Sequence, residues 1–303
     1  MELSVVVPTL NAREELSGCL DALTGNAPAA EIIVVNGPSA DGTTGMVQER
    51  DDVAVLIELA DRTITTARNA GIDRARGDVV AFVDHTVTVA PEWLSELESG
   101  LDGADVVTGP TRALLDVQTS MTEPETRQIA GQEVSYFNPG NVAFTREVLD
   151  ELDGFDEYLE VGGARDLAHR LARNGFEVTW NDDMQATQEV GTDGGTPETE
   201  WGPKYRGLSY RLVKNYNLRP GIVWRLLRHS GTDGYAQLRE VFRGENRASQ
   251  WFSDGRAVIT NLGGGIKDGL VARRHDRTSR RNPRGRSARS DRAVTVYDWR
   301  SAE

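Results

Sequence analysis

Three short apolar runs near the start of the chain each end in residues that could hold a polar ligand. Leu3 to Val7 leads into Pro8-Thr9 and Asn11, Ile32 to Val35 into Asn36 through Asp41, and Val79 to Val83 into Asp84-His85-Thr86. Taken singly these residues have plain structural uses, Asn11 as a helix cap, Asp41 as a turn former and Asp84 as the polar end of a strand. Their shared position is what suggests chemistry. If the runs are strands of an open α/β sheet, all three clusters fall outside the carboxyl ends of the strands, where such sheets bind ligands. The sequence contains no P-loop, GxGxxG fingerprint, HExxH helix or GxSxG elbow, which excludes the commonest phosphate, dinucleotide, zinc-protease and hydrolase sites.

The elements that would position these residues alternate between strand and helix, the pattern of a largely parallel sheet with helices on its faces. Asn11 can cap a helix reaching about Leu23, with Glu14 completing a capping-box-like pair. Cys19, the sole cysteine, shares helical spacing with Leu16, Leu20 and Leu23 and reads as a small core residue. Ile32 to Val35 is apolar throughout, as a strand buried on both faces should be. Val53 to Ile57 reads as a strand and Thr65 to Arg74 as a helix, whose Ala67, Ala70 and Gly71 allow close approach to a sheet. Helices are expected at about Pro91 to Leu101, Thr145 to Leu152 and Ala164 to Asn174. Between the first two lie an apolar segment, Asp105 to Thr108, and an irregular stretch to about Tyr136.

Charge divides the 303 residues in two. Residues 1 to 200 carry 12 basic and 38 acidic side chains, and residues 201 to 303 carry 22 basic and 9 acidic, within an overall net charge of -13. Only three of the basic residues are lysines, Lys204, Lys214 and Lys267, and the acidic excess is spread rather than gathered in a tail. This composition suits a salt-adapted protein, kept hydrated by carboxylates where ions screen charge over a few ångströms, or else an ordinary acidic cytosolic enzyme. The start of the chain has no basic, apolar leader, and no stretch is long enough to cross a membrane, so a cytoplasmic location is expected. In the basic third, Val223, Leu226 and Leu227 share a helical face flanked by Arg225, Arg228 and Trp224. Val258, Leu262, Ile266 and Leu270 form a second stripe, interrupted by Gly263 to Gly265. Such stripes suit either a membrane surface or packing on the main domain. Arg273 to Arg292 lacks apolar periodicity and reads as a mobile tail, without the stacking aromatics that nucleic-acid binding would need.

In order and spacing, SVVVPTLN, EIIVVNGPSADGT, TARNAGIDRARGDVVAFVD and PGNVAFTREVLDELDGFDE followed by DLAHRLARNGFEV resemble the family 2 glycosyltransferases over about residues 2 to 190. The likeness is nearest to the archaeal enzymes that build lipid-linked glycans for protein N-glycosylation. The resemblance implies a GT-A fold, an α/β architecture with a mostly parallel Rossmann-like sheet over residues 1–200. An amphipathic helical region over 201–272 and the tail over 273–303 would follow. It implies an inverting hexosyl or glycosyl transfer, of a hexose or hexuronic acid, from a nucleotide sugar, UDP-linked by expectation, to a polyprenyl- or dolichol-phosphate-linked glycan. The enzyme would lie peripherally on the cytoplasmic face of the membrane. Pro8, Thr9 and Asn11 would line the nucleoside pocket, Asn36 would stand where the family has a uracil-reading aspartate, Asp41 would hold the loop or contact the nucleoside, and Arg68 would either approach the diphosphate or be an exposed helix arginine.

Two motifs depart from the family pattern. The family's Asp-x-Asp metal motif here reads Asp84-His85-Thr86, so a Mn²⁺ or Mg²⁺ ion would lean on Asp84, with His85 as a further candidate. The acidic pair that supplies the family's base aligns with Gly163 and Ala164, which leaves Asp166 as the nearest carboxylate, either a substitute base or a first-turn carboxylate favourable to the helix dipole. A phosphate acceptor is already anionic and needs no base. The same gaps keep a second reading open, a catalytically silent module that binds nucleotide sugar or glycan beside a partner transferase.

Overall fold

Valine-rich runs build the centre of the molecule because β-branched side chains pack well on a pleated sheet buried on both faces. The computed structural model describes residues 1–113, 121–188, 201–243 and 248–300. The chain opens with β1 (Leu3–Thr9), α1 (Arg13–Asn26), β2 (Glu31–Asn36), α2 (Thr43–Gln48), β3 (Val55–Leu59), α3 (Ile64–Arg74) and β4 (Val79–Val83). It continues through β5 (Val87–Val89), α4 (Trp93–Gly100), β6 (Val106–Thr108) and β7 (Thr111–Ala113), then a hairpin of β8 (Glu125–Ile129) and β9 (Gln132–Tyr136). Next come β10 (Asn141–Thr145), α5 (Arg146–Glu151), α6 (Gly163–Asn174), β11 (Val178–Trp180) and β12 (Ala186–Gln188). Three long helices, α7 (Trp201–Tyr216), α8 (Pro220–Arg243) and α9 (Ala248–His275), precede the last strand, β13 (Ala293–Asp298).

The eight-stranded sheet has the order β11-β6-β10-β4-β1-β2-β3-β13. Strands β4, β1, β2 and β3 are mutually parallel, and β10 and β13 run antiparallel to their neighbours. Side chains alternate between two cores. Val5, Val7, Ile32 and Val34 meet α1 and α4 through Leu16, Cys19, Leu20, Trp93 and Leu97, while Val6, Ile33, Val35 and Phe82 meet α3, α6 and α7 through Ala67, Ala70, Leu167 and Val213. The helices and strands expected from sequence stand within a few residues of their anticipated ends. Cys19 is buried, as expected, and part of the stretch expected to be irregular forms β7 and the β8–β9 hairpin.

The basic third differs from expectation in three ways. First, α9 runs unbroken through Gly263 to Gly265. A Cβ at Gly265 would lie 2.3 Å from the Arg206 carbonyl and one at Gly269 2.7 Å from the Tyr210 carbonyl, so these two positions let α9 lie against the α7 backbone. Second, Leu262, Ile266 and Leu270 pack on the main core, which assigns the second apolar stripe to internal packing. Third, the segment expected as a mobile tail over 273–303 is built into the fold as far as residue 300, and 301–303 lie outside the described residues. Asn282 Nδ2 donates to the carbonyls of Leu152, Asp153 and Gly154 at 3.2, 2.9 and 3.2 Å. The buried guanidinium of Arg292 bridges Glu157 and Asp73, and β13 closes the sheet edge on β3. The local pattern lacked periodicity because these arginines answer carboxylates far away in sequence. Among the described residues no helix is long and apolar enough to cross a membrane.

His169 lies on the buried face of α6, with Nδ1 3.0 Å from the Tyr216 hydroxyl and its ring edge-on to Tyr136 and Tyr216. Burial, then the positive field of Arg211, pushes its pKa down to about 3, with Arg225 and Arg165 adding to the effect against the opposing pull of Asp166. The folded state therefore resists protonation that the unfolded chain accepts near pH 6.5. Stability should be highest above that value and fall as pH drops toward about 3. Urea unfolding from pH 7.5 to 4.5 should show this decline, and His169→Phe should flatten it.

Candidate active site

The strand ends form a rim whose loop is tied together by side chains. Asn11, at φ 50°, does not cap α1; the cap position is Ala12, with no side-chain bond. Its Oδ1 accepts the Ala40 N–H at 2.8 Å, and its own N–H donates to Ser39 Oγ at 2.8 Å. Ser39 Oγ in turn donates to Asn36 Oδ1, and Asn36 Nδ2 donates to Thr44 Oγ1. Asn36 is 1% exposed, so its side chain supports the loop from beneath and is not presented to a base edge. Asp41 opens two helices at once: Oδ2 accepts the Arg13 N–H at 3.0 Å, while Oδ1 accepts the Thr43 N–H and hydroxyl at 3.1 and 2.6 Å. Burial opposes ionisation, but these hydrogen bonds win and hold the Asp41 carboxyl below its usual range. Both carboxylate oxygens of Asp41 are thus engaged in holding the loop.

Pro8, Thr9, Leu10, Gly37, Asp61, Thr63, Asp84 and His85 line a cleft of about 90 Å³ at the ends of β1, β2 and β4. Thr9 Oγ1 is buried there without a hydrogen-bond partner, an acceptor and donor that a ligand could satisfy. His85 Nδ1 lies 3.1 Å from the Pro8 carbonyl. A carbonyl can only accept, so Nδ1 carries the proton and, in the neutral ring, Nε2 keeps its lone pair. Thr86 Oγ1 accepts from Gln188 Nε2 at 3.3 Å. Arg68 is not an exposed helix arginine. It is 4% exposed, lies over the rings of Phe82 and Phe155, and donates to the Pro139 carbonyl at 2.8 Å. Its Nε has no partner; burial pulls its pKa down, and the field of Asp84 opposes that pull. Arg68 thus places a buried positive charge within the field of Asp84.

A cation would find a partial donor set. Among the described residues no three His, Cys, Asp or Glu side chains group around one point. Asp84 and the free nitrogen of His85 could hold an ion only if a bound anion and water completed its shell, which fits an ion shared with a substrate phosphate.

Asp166 is misassigned as a proton acceptor by its place in the sequence. It is 0% exposed, and its Oδ2 pairs with Arg170 Nε at 2.9 Å and Lys214 Nζ at 2.8 Å while Oδ1 accepts from Asn215 at 2.9 Å. Burial would raise its pKa, yet Lys214 and Arg170 outweigh it and hold the carboxyl well below its usual range. The signal was present in the sequence: Asp166 and Arg170 stand one helical turn apart. Gly163 lies where a Cβ would come 2.3 Å from Thr65 Cγ2, so the position aligned with the family's acidic pair is closed to any side chain without rearrangement.

Next to the cleft, and sharing Asp61 and Thr63 with it, lies a cavity of about 540 Å³ bordered by the 157–161 turn, α7 and the C-terminal segment. Glu160 is exposed on its wall. Glu157 is tied to Arg292 and Arg289, and Asp61 to Arg289. Arg284 covers the Tyr158 ring at 4.7 Å. No sequence pattern pointed to Arg284 or Arg289, because both come from the segment read as a tail.

The sequence model of Glycosyl transferase family 2 matches residues 4–153. The chain belongs to that family. It is 26% identical over 203 residues to glycosyltransferase AglE of Haloferax volcanii, a match covering 60% of this chain and 65% of that relative. Polyprenol monophosphomannose synthase of Mycolicibacterium smegmatis is 29% identical over 201 residues, covering 57% and 73% of the two chains. Among solved structures, S. aureus TarS 1-349 in complex with UDP-GlcNAc superposes with a TM-score of 0.60 at 19% identity, over 91% of this chain and 92% of its own. Mannosyltransferase PcManGT from Pyrobaculum calidifontis, in complex with GDP-Man and Mn²⁺, gives 0.57 at 18% identity over 91% and 88%. The fold of this family 2 chain is the α/β fold expected, with a mostly parallel sheet and a helical C-terminal region.

Because Asp166 joins α6 to α7 inside the core, Asp166→Asn should act first on stability. Leaving Lys214 and Arg170 without this partner should cost about 3–5 kcal/mol, read as a lower urea midpoint. A normal midpoint with lost turnover would restore the proton-acceptor role.

Proposed function

We propose that the protein moves a sugar from a nucleotide sugar, UDP-linked, onto a polyprenyl- or dolichol-phosphate-linked glycan at the cytoplasmic face of a membrane, in a protein N-glycosylation pathway. The observation that carries the reading is the cleft at the carboxyl ends of the parallel strands, lined by Asp84, His85 and the unpartnered Thr9 hydroxyl, with the buried charge of Arg68 within the field of Asp84. Family membership supports sugar transfer. The likeness to AglE and to a polyprenol monophosphomannose synthase supports the lipid-linked acceptor, and the acidic composition supports an archaeal, salt-adapted setting.

In this reading the nucleoside lies along Pro8, Thr9 and the loop stiffened by Asn11, Asn36 and Asp41, while the diphosphate lies toward Asp84. A Mn²⁺ or Mg²⁺ ion held by Asp84, with His85 as a second donor, would neutralise charge on the leaving diphosphate. Arg68 contributes positive charge at the same place without leaving the core. The acceptor occupies the larger cavity. Its oxygen attacks the anomeric carbon from the side opposite the diphosphate, the bond from carbon to diphosphate oxygen breaks with its electron pair on the diphosphate, and the configuration inverts. A glycan hydroxyl must also lose a proton, and the exposed Glu160 is the carboxylate available to take it. A lipid phosphate needs no such transfer.

The test is incubation of the protein in high salt with UDP-sugars, Mn²⁺ and polyprenyl-phosphate-linked acceptors, with a sugar-mass increase on the lipid as the readout. Asp84→Ala should abolish that increase while leaving the unfolding midpoint unchanged. Glu160→Gln should slow transfer to a glycan hydroxyl by ~10²-fold or more and leave transfer to a lipid phosphate nearly intact. Thermal stabilisation by UDP without transfer to any acceptor would favour the silent nucleotide-sugar-binding module instead.

A further inference from the structure

Arg173 from α6 and Arg273 from the end of α9 meet at the last turn of α7, Arg281 lies against the end of α9 beside them, and Arg219, ahead of α8, adds its positive field to the same group. Arg173 donates through Nη1 to the Asn215 carbonyl. Arg273 Nη1 reaches the carbonyls of Lys214 and Asn215 at 2.9 and 3.0 Å, and Arg281 Nη1 those of Arg273 and Asp276 at 3.0 and 2.7 Å. Cations at helix C-termini are ordinary caps, and capping accounts for one nitrogen of each of these three. It does not account for four cations in one place. The neighbouring Asp276 carboxylate is engaged by Thr278, Arg280 and Asn282. Among the described residues none of the four arginines is paired with a carboxylate, whereas Arg286, Arg289, Arg292 and Arg300 all are. The Nε groups of Arg173 and Arg281 are buried with no partner at all.

Beside this cluster the chain exposes apolar side chains. Leu218, Val223, Trp224 and Leu227 are 46, 37, 69 and 56% exposed, while Ile222 and Leu226 take the inner face of α8. The sequence-level stripe therefore splits: Leu226 is core, and Val223 and Leu227 join Trp224 outside. Guanidinium forks match phosphate oxygens, and tryptophan favours the boundary between water and lipid.

We propose that Arg173, Arg219, Arg273 and Arg281 form a socket for the phosphate of an anionic lipid headgroup, with Trp224 and Leu227 entering the interfacial layer beside it. The inference deepens the membrane-surface part of the proposed function, and it is tested without any sugar transfer. Short-range forks and apolar insertion also suit a saline setting, where long-range attraction is screened.

The experiment is co-sedimentation of the whole chain with vesicles of phosphatidylcholine alone and of phosphatidylcholine mixed with phosphatidylglycerol. The protein should bind the mixed vesicles selectively. Arg219→Gln, whose side chain makes no hydrogen bond among the described contacts, should weaken binding about fivefold, the effect of roughly 1 kcal/mol per surface cation. Arg219→Gln with Arg273→Gln should weaken it more than tenfold, with circular dichroism confirming the fold. Trp224→Ala should weaken vesicle binding and leave stabilisation by inorganic phosphate intact. Equal binding to both vesicle types, or wild-type binding by Arg219→Gln, would overturn the proposal. Stabilisation by inorganic phosphate that Arg219→Gln abolishes, without vesicle binding, would overturn the lipid assignment and identify a soluble phosphate ligand. Because no nucleotide sugar is present, failure here leaves the sugar-transfer reading standing.

Discussion

Lys214 sits between two buried carboxylates, Asp156 at 2.6 Å and Asp166 at 2.8 Å, and much of the molecule is arranged to keep that placement. Each ion would be costly alone in the core, so each must be met by an opposite charge and by hydrogen bonds to its remaining atoms. Arg170 meets Asp166 and also donates to the carbonyls of Leu152 and Gly154, and Tyr210 donates to Asp156. The network thereby fixes α6, α7 and the turn after α5 relative to one another. The wall of the larger cavity, from Glu157 to Val161, is the chain that runs between Asp156 and α6, so the candidate acceptor region depends on charges it never exposes.

The division of charge along the sequence has a partly internal explanation. Arginines of the C-terminal segment reach back to the acidic body: Arg286 to Asp73 and Asp150, Arg289 to Asp61 and Glu157, Arg292 to Asp73 and Glu157, Arg300 to Glu31. Arginine suits this work better than lysine because one planar fork can satisfy a carboxylate and a carbonyl together, as Arg292 does with Glu157 and the Arg286 carbonyl. Two of these residues, Glu157 and Asp61, also border the cavity, so the basic third helps set the position of acidic groups at the site.

The sheet was legible because its strands are apolar on both faces, and the rim was legible because polar residues follow those strands directly. Individual roles were less so. Asn11 looked like a cap since capping is a local pattern, whereas its partners, Ser39 and Ala40, come from the next strand–loop unit and its φ is positive. Asp166 looked available because the family's acidic pair was missing nearby; Lys214, which consumes it, lies three elements on. The run from Arg273 to Arg292 looked unstructured because ion pairing leaves no hydropathy period. Its continuation, Val294 to Tyr297, carried the β-branched and aromatic signal of a strand.

That strand, β13, gives the chain a particular order of assembly. It pairs with β3 across almost the whole length of the polypeptide, so a ribosome finishes the Rossmann-like half long before the strand that covers its edge exists. During that interval β3 presents unpaired backbone groups, the kind of template that recruits a strand from another molecule. A contact so distant in sequence also forms late and slowly. Nascent or truncated chains are therefore the forms most exposed to self-association, and a fragment limited to the family-matched residues 4–153 would carry that open edge permanently.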